Sequence, residues 1–117
     1  MIEILNKTDV NKIQDKQLKD YLEYSLKRLP ENFDYPNDGY FIVIDNLDEL
    51  QTSKINLTNH SLNGINNGLL DDINMVEIKD EIIEILVFVG NDISLSFVMP
   101  IKILPITLLE QLEEYII

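Results

Sequence analysis

Cysteine, tryptophan and alanine are absent from the 117 residues, and histidine and arginine occur once each. Without cysteine there is no disulfide, no thiol nucleophile and no cysteine-based zinc site. The single histidine leaves one candidate for a neutral-pH general base. His60 lies in an Asn- and Gly-rich stretch beside Ser61, and adjacency in sequence is not triad geometry, so it reads as a surface loop residue. The four glycines, Gly39, Gly64, Gly68 and Gly90, fit neither a dinucleotide fingerprint nor a P-loop. No apolar run reaches the roughly 18 residues that a membrane span needs. The opening MIEILNKTD carries an early Glu3 and no basic leader region or small-residue cleavage site. The expectation is a cytoplasmic protein that does not enter a membrane.

Positive charge is scarce, and its distribution is uneven. Residues 1–29 hold five acids and six bases, a net charge of +1. Residues 30–117 hold sixteen acids against Lys54, Lys79 and Lys102, a net of −13, within a total of −12. Phosphate backbones are held by Lys and Arg, so this balance argues against direct nucleic-acid binding. A basic protein would instead be drawn in and steered.

The length suits one domain, 1–117, and a hydrophobic content of 45% is enough for a core. Residues 2–5 read as a short strand or a lead-in. Thr8 or Asp9 offers an N-cap oxygen. From there Val10, Ile13, Leu18, Tyr21, Leu22, Leu26 and Leu29 recur at helical spacing, which predicts an amphipathic helix of about five turns. Asp15–Lys19 and Glu23–Lys27 are spaced for ion pairs along it. Lys27 and Arg28 suit its C-terminal dipole, and Pro30 stops it.

Residues 30–39 form an acidic, aromatic loop. Strands are expected at 40–44, 73–78, 81–89 and 93–99, with a weaker candidate at 50–57 and a mobile Asn/Gly loop at 58–68. Lys79-Asp80 and Gly90-Asn91-Asp92 are tight turns, so the last three strands make an antiparallel meander. In 81–89, Ile83, Ile85, Val87 and Val89 share one face and Ile82, Glu84, Leu86 and Phe88 the other. Both faces look covered, which points to a central strand. Thr107 to Glu110 matches a capping box, opening a helix over about 107–116. The fold class is α+β: a mostly antiparallel sheet of four to five strands, flanked by an N-terminal and a C-terminal helix.

Three constellations carry possible chemistry. Asp71 or Asp72 followed by Glu77-Ile78-Lys79 has the skeleton of a metal-dependent hydrolase site, two carboxylates for magnesium and a lysine near the phosphate. The pattern is short and lacks surrounding basic residues, so Glu77 and Lys79 read as solvent-facing at a hairpin end. Asp45, Asp48 and Glu49 are acidic enough for calcium but do not follow the EF-hand order. No metal or cofactor is expected. The third signal is collective. Asp34, Asp38, Asp45, Asp48, Glu49, Asp71, Asp72, Glu77, Asp80 and Glu81 gather mainly in turns and strand ends, with Tyr35 among them and Phe33 and Tyr40 nearby. If one rim of the sheet collects them, it becomes a negative patch with aromatic anchors for a Lys- or Arg-rich surface.

In size, acidity and α/β pattern, across the whole chain and without a shared motif, the sequence resembles the small acidic immunity proteins that bacteria make against their own toxins in contact-dependent inhibition. That resemblance implies a cytoplasmic, non-enzymatic inhibitor whose partner is a basic toxin domain, with nucleases the leading class. A phage-encoded mimic of nucleic acid that blocks a defence nuclease is the alternative, and a hydrolase using Asp72, Glu77 and Lys79 a remote one. Monomer and homodimer both stay open, since an exposed edge strand can pair two copies.

Overall fold

The computed structural model describes residues 1–35, 37–46, 48–49, 73–88 and 94–117. Among the described residues the chain builds β1 (Ile2–Ile4), α1 (Lys16–Lys27), β2 (Gly39–Val43), β3 (Ile73–Lys79), β4 (Ile82–Phe88), β5 (Ser94–Pro100) and α2 (Ile106–Leu112). A 3-10 helix precedes α1 at Lys7–Lys12, and two more flank α2 at Ile101–Ile103 and Glu113–Tyr115. The weak strand candidate at 50–57 and the loop at 58–68 lie outside the described residues. No described helix is long and apolar enough to cross a membrane.

The sheet has five strands in the order β1-β2-β5-β4-β3. The meander β3-β4-β5 is antiparallel, as the few residues between its strands require, and β1 pairs antiparallel with β2. The pair β2–β5 is parallel, Gly39 opposite Ser94 through Val43 opposite Val98. The sheet is therefore mixed, and the expectation of a mostly antiparallel one holds only in part. The central strand is β5, with β4 beside it. Direction between distant strands is set by the crossover joining them, which short-range pattern does not encode. Gly39 enables the parallel contact: its φ is +153°, and a Cβ there would lie 2.3 Å from the Ser94 carbonyl oxygen.

Alternation along the strands divides the core in two. On one face Ile42, Ile83, Ile85, Val87, Leu95, Phe97 and Met99 pack under Leu108 and Leu112 of α2. On the other, Phe41, Val43, Ile82 and Val98 pack under Leu18, Tyr21 and Leu22 of α1, with Ile4. Each helix thus covers its own face.

Helix boundaries differ from the periodic reading. The amphipathic stretch is split, because two side chains cap backbone locally. Asn6 Oδ1 accepts from the amides of Thr8 and Asp9 at 3.0 and 3.1 Å and opens the 3-10 turn. Asp15 Oδ1 accepts from Leu18 N at 3.0 Å and starts α1, so it serves as a cap, and Lys16–Asp20 forms an ion pair at 2.7 Å. At the C-terminus Pro105 takes the N-cap position with no side-chain cap bond. Thr107 falls inside α2 and the capping box does not form. The helix ends at Leu112, short of residue 116, and the tail turns to the edge of β3: Ile116 bridges to Val76 and Ile117 N donates to Val76 O at 3.1 Å.

Candidate functional site

The strand directions sort the described acids of the candidate patch, Glu77 apart, into two groups at opposite ends of the sheet. Asp38 immediately precedes β2, and with Asp34 and Tyr35 it lies where β2 and β5 begin. Asp38 Oδ2 accepts from Asp34 N at 2.9 Å, and Ser94 N donates to Asp38 O at 3.1 Å. Phe33 and Tyr35 meet edge to face, centroids 4.8 Å apart. Tyr35 is half-buried, and its hydroxyl has no hydrogen-bond partner among the described residues. Tyr40, the third aromatic, packs against the α2-side core.

The second group lies where β2 and β5 end and the β3–β4 hairpin turns. Asp45, Asp48 and Glu49 follow β2. Glu49 Oε1 accepts from Asp45 N at 3.2 Å, and the Met1 ammonium is ion-paired with Glu49 Oε2. A side-chain hydrogen bond with Glu49, together with burial, raises the Asp45 carboxyl above its ordinary range. Burial opposes ionisation of Glu49, but hydrogen bonds from the amino terminus and Asp45 outweigh it and lower that carboxyl.

The hairpin turn is Asp80-Glu81, one residue later than the sequence suggests, and both residues are left-handed, with φ of 53° and 69°. Asp tolerates that region, whereas Glu there is uncommon and strained. Beside the turn is an open groove of about 520 Å³ lined by Gln17, Asp20, Tyr21, Lys79, Asp80 and Glu81. Lys79 Nζ reaches Asp80 Oδ2 at 3.0 Å. Asp71 and Asp72 lie outside the described residues, as do His60 and Asp92.

Glu77 does not join either group. It sits on the α1 face of β3, 8% exposed, directly opposite Glu84 on β4. The two carboxylates and α1 form a buried polar cluster. Tyr21 Oη donates to Glu84 Oε1 at 2.7 Å and approaches Glu77 Oε2 at 3.4 Å. Ser25 Oγ donates to Glu84 Oε1 at 2.9 Å, and Arg28 Nη1 is ion-paired with Glu77 Oε1 at 2.8 Å. Arg28 also lies over the Tyr24 ring at 4.4 Å, with Lys79 Nζ 4.9 Å from the same ring. Burial and the Glu84 carboxylate push the Tyr21 phenol far above its ordinary range, so it remains a donor.

The solvent-facing reading of Glu77 is therefore corrected. A sheet residue at a hairpin end is covered when a helix lies over it, and α1 supplies both the cover and the counter-charge. Glu77 and Lys79 do share a face, but Arg28 holds the first and Asp80 the second. Among the described residues no group of three His, Cys, Asp or Glu side chains is placed to hold a metal ion. Sequence reasoning missed Tyr21, Ser25, Arg28 and Glu84 as a unit. The available signal was their spacing: Tyr21, Ser25 and Arg28 fall at i, i+4 and i+7 on one helix face, and Glu84 interrupts an apolar strand.

No family model, curated protein or solved structure matches the chain.

Proposed function

We propose that this protein acts by binding a basic partner protein, as an inhibitor of the immunity-protein kind facing a basic toxin domain. The hairpin end of the sheet is its contact surface. One observation carries the reading: at Asp80-Glu81 the chain holds two exposed acids in left-handed backbone, the second strained, at the mouth of a groove that also contains Asp20. Glycine would fit such a turn without strain. Strain kept at an exposed turn is a mark of selection for what the side chain does.

In this reading the strand ends present Asp80 and Glu81 rigidly, with Asp45, Asp48 and Glu49 along the same end of the sheet. Electrostatic attraction steers the partner, and the groove receives a Lys or Arg side chain. The work is done by binding in the cytoplasm, without catalysis or direct nucleic-acid contact. Asp34, Tyr35 and Asp38, at the far end, lie outside this first contact. The nucleic-acid-mimic alternative draws less support, because the described acids of the candidate patch, Glu77 apart, fall in two separated groups rather than rows.

The test is co-purification with a panel of basic nuclease toxins at rising salt. Asp80→Lys with Glu81→Lys is expected to weaken capture by at least about tenfold while circular dichroism stays unchanged, since truncating or reversing contact charges commonly costs several kcal/mol. Capture that ignores both the reversal and salt would refute the electrostatic reading.

A further inference from the structure

We infer that a second cleft, beside Glu84, is a binding site for an ammonium group carried on an apolar stem, the chemistry of a lysine side chain or a free alkylamine. The cleft lies between the C-terminal half of α1 and the sheet and has a volume of about 270 Å³. Pockets that enclose drug-sized ligands run from roughly 300 to 1,000 Å³, so this one suits a single side-chain-sized group. Phe33, Phe41 and Leu86 supply apolar walls, Ser25, Glu84 and Ser96 stand among them, and Arg28, whose guanidinium is held by Glu77, lines the same cleft.

Charge balance identifies the ligand. Glu77 and Glu84 oppose each other across β3 and β4, and the one guanidinium in the cluster is bound to Glu77. Glu84 is 4% exposed; its Oε1 takes both hydroxyl donors, and its Oε2 takes no hydrogen bond among the described residues. A carboxylate so far removed from water gains most from a charged donor. Ser96 points the same way independently. It is 5% exposed, lines the same cleft, and its hydroxyl makes no hydrogen bond among the described residues. Among the described residues the sealed side-chain atoms without a partner are Tyr35 Oη and Gln111 Oε1, so Ser96 Oγ is reached from the cleft and is open to an incoming donor. An ammonium carries three donors, and Glu84 Oε2, Ser96 Oγ and Ser25 Oγ are three acceptors. The methylene stem packs on Phe33, Phe41 and Leu86.

The site stands on this geometry. It rests on the proposed function only for one source of the ammonium, a lysine of the basic partner; a free amine is the other. The experiment titrates n-butylammonium chloride into the ¹⁵N-labelled full chain, with tetramethylammonium chloride, which has no N–H donor, as the ionic-strength control. Saturable amide shifts at Ser25, Leu86 and Ser96 are expected with n-butylammonium alone. Glu84→Gln is expected to weaken them at least about tenfold, the scale of a hydrogen bond to a charged group. Ser96→Leu fills the cleft while leaving both partners of the Glu77–Arg28 pair unsubstituted, and is expected to abolish them even if Glu84→Gln perturbs folding. Asp80→Asn with Glu81→Gln is expected to leave them unchanged, which separates failure here from failure of the hairpin surface. No saturable shift, an equal response to both salts, or unchanged affinity in folded Ser96→Leu overturns the site. Competition between n-butylammonium and a captured partner assigns the ammonium to the partner's lysine; capture indifferent to the amine assigns it to a free amine.

Discussion

The sheet's two faces are closed by opposite means. Under α2 the buried core is apolar: Phe97, Met99, Ile83 and Ile85 are fully buried against Leu108 and Leu112, with Tyr40 and Tyr115 packed at its margin. Under α1 the same strands bury two carboxylates, a phenol and two serine hydroxyls alongside Leu18 and Leu22. Apolar packing is non-directional and scales with area. A buried carboxylate pair tolerates only the arrangement that brings Arg28, Tyr21 and Ser25 to it. Both faces bury hydrocarbon, and the α1 face adds a polar cluster that fixes where the helix sits and keeps polar groups beside a cleft.

The largest effect expected from this contrast is on the apolar side. Phe97→Ala should cost about 3–5 kcal/mol, the usual range for deleting a buried aromatic ring, read from the urea midpoint by circular dichroism. A cost below that of removing the Arg28–Glu77 pair would break the contrast.

Arg28→Met comes next. It leaves the Glu77 carboxylate without its ion pair. Because the Arg28 side chain is 42% exposed, the expected loss is about 1–3 kcal/mol. Adding Glu77→Gln should recover part of it, and a double-mutant cycle with no coupling would show that the pair does not position α1.

Glu81→Gly sharpens the comparison from the hairpin end. Release of left-handed strain should raise stability by up to about 1 kcal/mol, since glycine adopts that backbone freely. Capture of a basic partner should weaken at the same time. Gain of stability with undiminished capture would argue that Glu81 plays no part in contact.

The smallest effect concerns Asp9, at the start of the α1 side. The Leu5 amide, then Lys12, hold its carboxyl below the ordinary 3.8. A depressed folded value means its contribution is complete above pH 3.8 and is lost as pH falls through the lower folded value. Asp9→Asn should therefore flatten the stability profile below pH 4 and leave the slope at neutral pH unchanged, in acid-titration unfolding curves.

Much of the scaffold was legible in sequence order. Leu18, Tyr21, Leu22 and Leu26 repeat with a helix's period, and the runs 73–78, 81–89 and 93–99 separated by short turns announce a meander. The failures have local causes. Asn6 and Asp15 spend their side chains on backbone amides, which splits a stretch whose apolar rhythm is continuous. Pro105 opens α2 before Thr107 can cap it. The candidate site was less legible than the fold. Glu77 looked exposed because the residue that neutralises it, Arg28, is 49 positions away in the chain.

By itself the sequence determined the period of each element, the two-sided apolar character of β4, and a negative charge concentrated after residue 29. These are properties of neighbours along the chain, where side-chain spacing and backbone geometry suffice. Only the tertiary structure decided that β2 runs parallel to β5, that Asp34 and Asp38 lie at the opposite end of the sheet from Asp45, Asp48, Glu49, Asp80 and Glu81, and that Glu77 and Glu84 meet under α1. Each of those depends on which distant segments pack together, and the free energy of burial and charge pairing acts through space, whatever the separation in sequence.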